Sequence, residues 1–124
     1  MIVCLTTEQN NLDSLLSSSF KESKYFLFVN LDNNRIRVIK NKKTTTDNLE
    51  AVYLVTNQSP QIIITGNIQA NSFDFLVNSG IEICCGVFGI TAREAIKRYQ
   101  TKKIKAKITN KQDKQVSSGR GRVL

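Results

Sequence analysis

Apolar positions fall in short bursts along this chain, and their spacing shifts between strand-like and helix-like. Residues 2–7, IVCLTT, form a short apolar run that predicts a first strand. Residues 25–31, YFLFVNL, are aromatic and β-branched, as strands prefer. Asp32-Asn33-Asn34 then signals a turn, and over residues 35–39 Ile36 and Val38 alternate with Arg35 and Arg37. The pattern predicts an antiparallel hairpin. The polar stretch between the first two strands, residues 8–23, reads as a loop with a short helical turn around Leu12 to Leu16.

A polar connection, residues 40–46, leads to a helix in which Asp47 and Glu50 have capping-box spacing and Leu49, Val52 and Tyr53 supply the apolar face. Pro60, the only proline, falls in the loop that follows. Ile62 to Gly89 is the stretch around which the rest is arranged. Ile62–Ile64 run into Thr65-Gly66-Asn67, then Phe73, Leu76 and Val77 recur at helical spacing up to Gly80, and Ile81 to Cys85 form a second apolar run ending at Gly86. Strand, loop, helix, strand is a βαβ unit, and short continuous apolar runs of this kind suit buried parallel strands. A last helix is the most clearly marked. Thr91 and Glu94 form a T-x-x-E box, and Ala92, Ala95, Ile96 and Tyr99 line one face opposite Arg93, Lys97 and Arg98. The order β, β-hairpin, α, β, α, β, α implies an α/β fold: a mixed five-stranded sheet with helices on both faces. Order alone does not fix the central strand.

Composition refines this picture. A length of 124 residues with 40% hydrophobic residues suits one globular domain. No apolar run approaches the roughly 20 residues needed to cross a bilayer. Met1 leads straight into a strand-like run without a basic leader, so the expected location is cytoplasmic, with no membrane partner. The net charge of +8 is unevenly spread: residues 1–101 hold ten Lys/Arg against nine Asp/Glu, and residues 102–124 hold eight against Asp113 alone. The expected organisation is a domain over residues 1–103 and a basic flexible tail over 104–124. The tail lacks interleaved aromatics for base stacking, which makes nucleic acid an unlikely partner. A nucleic-acid-associated role through that tail is kept as the alternative function. Three cysteines and no histidine argue against a disulfide framework and against imidazole-dependent chemistry.

Ligands of open parallel sheets bind outside the carboxyl ends of the strands. That directs attention to Thr65-Gly66-Asn67 and Cys84-Cys85-Gly86. Gly66 and Asn67 lead into a helix N-terminus near Ala70-Asn71, where free backbone N–H groups favour an anion; the alternative is a tight turn capped by Asn71. Gly86 and Gly89 either let a ligand approach or only satisfy turn geometry. Cys84 and Cys85 are adjacent on a strand and so point to opposite faces. They read either as small core hydrophobes or as soft-metal ligands, and Cys4 reads as core. Lys21 and Arg93 either neutralise an anionic ligand from neighbouring loops or are solvated surface charges. Two-metal nuclease chemistry needs carboxylates converging on the sheet, and Ile2 to Thr7 carry none.

The run TGNIQANSFDFLVNSGIEICCGVFGITAREAIKRYQTKKIKA resembles the second half of the dinitrogenase iron–molybdenum cofactor biosynthesis family. Thr65, Gly66, Asn71 and Phe73 match its T-G-x-x-G-P-N-A-F loop, with Gln69 and Ala70 in place of Gly-Pro. Gly86, Gly89, Glu94, Ala95 and Ile96 match its G-x-x-G-T-x-x-E-A-I signature. In the first half, LDSLLSSSFKESKYFLFVNLD is similar to the family's L-D-S…H-F-G-R-A-x-Y-F stretch at Leu12, Asp13, Ser14, Phe20, Tyr25 and Phe26. The family's His-Phe-Gly stands here as Ser19-Phe20-Lys21, and Lys42 to Thr46 replace a glycine-rich loop. The resemblance spans about residues 1–106. It implies a ribonuclease-H-like three-layer fold with sheet order 3-2-1-4-5 and strand two antiparallel. It also implies a non-enzymatic carrier or assembly module for an anionic metal cluster of iron–sulfur or iron–molybdenum type, or for a small anionic ligand, with cluster-assembly proteins as partners. The candidate contact residues, read from the strand ends, are Gly66, Asn67, Asn71, Gly86 and Lys21 for the ligand and Cys84 and Cys85 for metal.

Overall fold

A computed structural model describes residues 1–42 and 49–106. Five strands, β1 (Ile2–Thr7), β2 (Tyr25–Asn30), β3 (Ile36–Lys40), β4 (Ile62–Ile64) and β5 (Glu82–Cys84), form one sheet in the order β3-β2-β1-β4-β5. β2 runs antiparallel to β1 and β3, while β4 pairs parallel with β1 and β5 with β4. The expected order is thus observed, with β1 central. Five of its six residues are buried, because neighbours flank it on both edges and helices cover both faces.

Strand alternation sorts the core into two layers. Cys4, Phe26, Phe28, Ile63 and Ile83 face α1 (Glu50–Thr56) and α2 (Ala70–Asn78), meeting Val52, Val55, Phe73 and Leu76. Val3, Leu5, Leu27, Ile62, Ile64 and Cys84 face α3 (Ala92–Gln100), meeting Ala92 and Ala95. Two alanines on the buried face of α3 let its backbone lie close to the sheet.

Several local expectations change. The expected helical turn is reduced to one hydrogen-bonded turn, Ser14 N–H donating to the Asn11 carbonyl at 3.1 Å, and does not continue to Leu16. Instead, Leu16 bridges to Thr7 and Leu15 to Thr91, and the Leu12 and Ser14 carbonyls accept N–H bonds from Arg93 and Ala92, each at 2.9 Å. The loop is a clasp over the start of α3. Asp47 lies outside the described residues; α1 begins after Leu49, which makes no side-chain cap. Tyr53 is exposed rather than part of the buried face, because Ala51, Val52 and Val55 take that role. Its ring packs edge-on against Phe75 at 5.5 Å. Beyond α3, Ile104 and Ala106 pack half-buried against the second layer, which carries the folded body past residue 103. The rest of the expected tail, 107–124, lies outside the described residues. Among the described residues no helix is long and apolar enough to cross a membrane.

Candidate functional site

Three loops leave the carboxyl ends of β1, β4 and β5 at the same end of the sheet, and backbone hydrogen bonds lace them together. The β4 loop is pinned from both sides. On one side, Asn67 N–H donates to the Ser18 carbonyl at 2.7 Å and the Asn67 carbonyl accepts from Phe20 N–H at 2.8 Å. On the other, Gly86 N–H donates to the Gly66 carbonyl and Val87 N–H to the Thr65 carbonyl, both at 2.9 Å. Beneath them the Thr6 and Thr65 hydroxyls share a buried 2.8 Å hydrogen bond, which satisfies two polar groups where the strands end.

This lacing decides what each predicted residue does. At Gly66 the Ser17–Ser18 backbone crosses so closely that a Cβ would run into both carbonyls, the Ser17 oxygen at 2.6 Å. That crossing explains the glycine at position 66. Gly86 turns the chain with φ of +77°, a left-handed conformation that suits glycine, and its N–H is spent on Gly66. Asn67 has both backbone groups engaged and an exposed side chain. Asn71 does not cap α2: the cap position is Gln69, without a side-chain bond, and Asn71 Oδ1 accepts from Ser72 N–H at 2.8 Å inside the first turn. The amides of Ala70 and Asn71 remain without a partner among the described residues.

Lys21 follows the strand-like contact between Ser19 and Asn67, which sets it beside the β4–α2 loop. The residue is half-buried and its ammonium meets no carboxylate among the described residues. Its backbone is fixed by Asn41, a buried side chain whose Nδ2 donates to the carbonyls of Lys21 at 3.1 Å and Ser23 at 2.8 Å. Asn41 was not marked by the sequence pattern; it stood at the start of a polar run whose composition predicts only a connection. Arg93, by contrast, is taken by Asp13 at 3.2 Å. Glu8 brings a negative charge to the same end and is held by the Ser17 hydroxyl at 2.5 Å, with Lys24 Nζ 4.0 Å away.

The cysteines do not converge. Cys4 lies in the layer under α1 and α2, and Cys84 lies in the layer under α3. Burial, reinforced by the charges of Glu82 and Cys85, pushes the Cys84 thiol up to about 12, which keeps it protonated at neutral pH. Cys85, just past the end of β5, is half-buried against the opposite layer from Cys84, continuing the strand's alternation. Among the described residues no group of three or more Cys, Asp or Glu could hold a metal ion.

The family model described as dinitrogenase iron-molybdenum cofactor matches residues 1–102. No curated protein matches. Solved structures share the fold. The apo form of the orange protein from Desulfovibrio gigas superposes with a TM-score of 0.83 at 20% identity, over 87% of this chain and 93% of that one. A Thermotoga protein described as a candidate NifB gives 0.76 at 19% identity, over 87% and 94%. A Methanocaldococcus jannaschii protein described as a candidate dinitrogenase gives 0.66 at 19% identity, over 88% and 96%.

Proposed function

The chain belongs to the dinitrogenase iron-molybdenum cofactor family, and from that premise we propose that it is a non-enzymatic binding module that holds an anionic metal cluster as cargo at the carboxyl ends of its strands. The observation that carries this reading is the donor set there. Among the described residues the Ala70 and Asn71 amides at the start of α2 have no partner, and the ammonium of half-buried Lys21 on the adjoining loop meets no carboxylate. A helix N-terminus with open amides attracts an anion, and a nearby ammonium adds a full positive charge.

The residues fit a cluster held from outside by charge and hydrogen bonds. They do not fit one ligated by both Cys84 and Cys85. The Cys84 thiol is buried and protonated, so Cys85 is the single thiol at the mouth. A cluster with its own sulfides or other terminal ligands would need from this chain only positioning: Lys21 neutralises charge, the α2 amides and the Asn67 carboxamide offer N–H groups, and Cys85 offers one soft contact. Delivery of such cargo to cluster-assembly proteins follows from the same reading.

The test is anaerobic incubation of the purified chain with iron and sulfide and, separately, with tetrathiomolybdate, a dianionic metal sulfide, followed by desalting, metal counting and absorption spectroscopy. Stoichiometric metal is expected. Retention should fall about fivefold in Lys21→Gln, the loss of one charge-assisted contact, and should survive Cys84→Ser. Absence of retained metal in both arms would overturn the cargo reading. Loss of metal in a folded Cys84→Ser variant would restore thiolate ligation instead.

A further inference from the structure

At the opposite end of the sheet, where the parallel strands begin, the β2–β3 turn and the end of α1 border an open cavity of about 480 Å³. That volume lies within the range of small-molecule sites. Its floor includes Ile2 and Phe28, and its rim is polar: Asn30, Asn33, Arg35, Arg37, Asn57 and Gln58. Among the described residues no carboxylate lines it. Asp32, in the same turn, is occupied by the Met1 amino terminus at 2.9 Å.

The polarity of that rim has one sign. Asn30 Oδ1 accepts from Asp32 N–H at 2.9 Å, and Asn33 Oδ1 accepts from Arg35 N–H at 3.0 Å. Gln58 Oε1 accepts from the Arg37 guanidinium at 3.1 Å. Each donor is an N–H, so each carboxamide oxygen is fixed inward by its own network. What the three side chains have left is their amino groups, which find no partner among the described residues. Both guanidiniums likewise meet no carboxylate there. The carbonyls at the end of α1, which would repel an anion, are partly quenched: Gln58 and Ser59 N–H cap the Val55 and Thr56 oxygens at 3.0 Å each. A cavity rimmed by unspent donors and two forks of positive charge, over an apolar floor, selects an anion with an apolar body.

We propose that this cavity binds a small phosphate-bearing molecule of about mononucleotide size, its phosphate held between Arg35 and Arg37 and its body over Ile2 and Phe28. The guanidinium fork matches phosphate oxygens in pairs, and the asparagine amino groups complete the donor set. The site is independent of the cluster reading, since the two lie at opposite ends of the strands.

The full chain, labelled with nitrogen-15, is titrated with AMP, inorganic phosphate and adenosine, following amide shifts and heats of binding. The expected result is AMP binding with shifts confined to Ile2, Phe28 and residues 30–37 and 57–58, weaker binding of phosphate, and none of adenosine. Arg35→Gln and Arg37→Gln should each weaken AMP about tenfold, the loss of one strong charge-assisted contact. Both arginines are exposed, and circular dichroism confirms that the variants remain folded. Silence from both phosphate probes up to about 10 mM, a concentration far above useful affinity, would overturn the proposal. So would adenosine binding as well as AMP, shifts at Asn67 and Gly86 instead, or undiminished affinity in both variants.

Discussion

Gly66 shows how much one residue settles. The carbonyls of Ser17 and Ser18 occupy the place a Cβ would take, and both are backbone atoms in a laced loop that cannot swing aside. Gly66→Ala should therefore cost about 3 kcal/mol, the upper range for overpacking a fitted site, read as a lower urea midpoint. The thiols give a second prediction. Of the three free cysteines only half-buried Cys85 should react readily with a disulfide reagent in the native protein, since Cys4 and Cys84 are buried and their thiols are pushed up by desolvation. A thiol whose folded value is raised lends stability that is whole below its unfolded value of 9.0 and declines as pH rises toward its folded value, about 12 for Cys84. The urea midpoint should fall above about pH 9, and fall less steeply in Cys84→Ala; equal slopes would show that Cys84 contributes nothing to the alkaline loss. Sequence exposed the opposed cysteines through the two-residue strand period. It did not expose why Gly66 is glycine, because the crossing Ser17–Ser18 segment lies about fifty residues earlier in the chain.

At the scale of elements, what could be read ahead was local. The β2–β3 hairpin, the β4–α2–β5 unit and α3 announce themselves by turn residues and periodicity within their own spans. The capping box of α3 was half right. Thr91 Oγ1 accepts from Glu94 N–H at 3.1 Å, but the Glu94 carboxylate turns away to Arg98 at 2.9 Å. Thr91→Ala should thus lose one cap, about 1 kcal/mol, while Glu94→Gln, whose partner is an exposed i,i+4 pair, should change stability by no more than about 0.5 kcal/mol. A larger effect of Glu94→Gln in thermal unfolding would mean that the reciprocal arm of the box forms in solution. The elements that escaped the sequence reading are those made by distant partners. Leu12 to Leu16 carry a helix-like spacing, yet most of their backbone bonds go to Glu8 and to Ile90–Arg93. The cavity at the amino end draws on residues from Ile2 to Gln58 and has no signature within any one of them.

The molecule as a whole is a sheet with a protected centre and two edges, β3 and the short β5. β1 has strand neighbours on both sides and helices on both faces, so opening its hydrogen bonds requires disrupting both core layers. β3 is an edge with only β2 beside it, and Ile36 and Val38 remain about 40% exposed, at 43% and 42%. Charge keeps such an edge from pairing with another, and Arg35, Arg37 and Lys40 supply it here. Amide exchange should accordingly be slowest in β1, with protection near the global unfolding free energy, and fastest among the strands in β3. The two ends of the sheet carry different work under these proposals, so the same exchange measurement separates them. An anionic metal sulfide should slow amides at Ala70 and Asn71, where free N–H groups await it, and AMP should slow those of the β2–β3 turn. Protection of β3 equal to that of β1, with no ligand added, would mean instead that a second chain covers the edge in solution. The arginines of the cavity would then serve that contact rather than a phosphate.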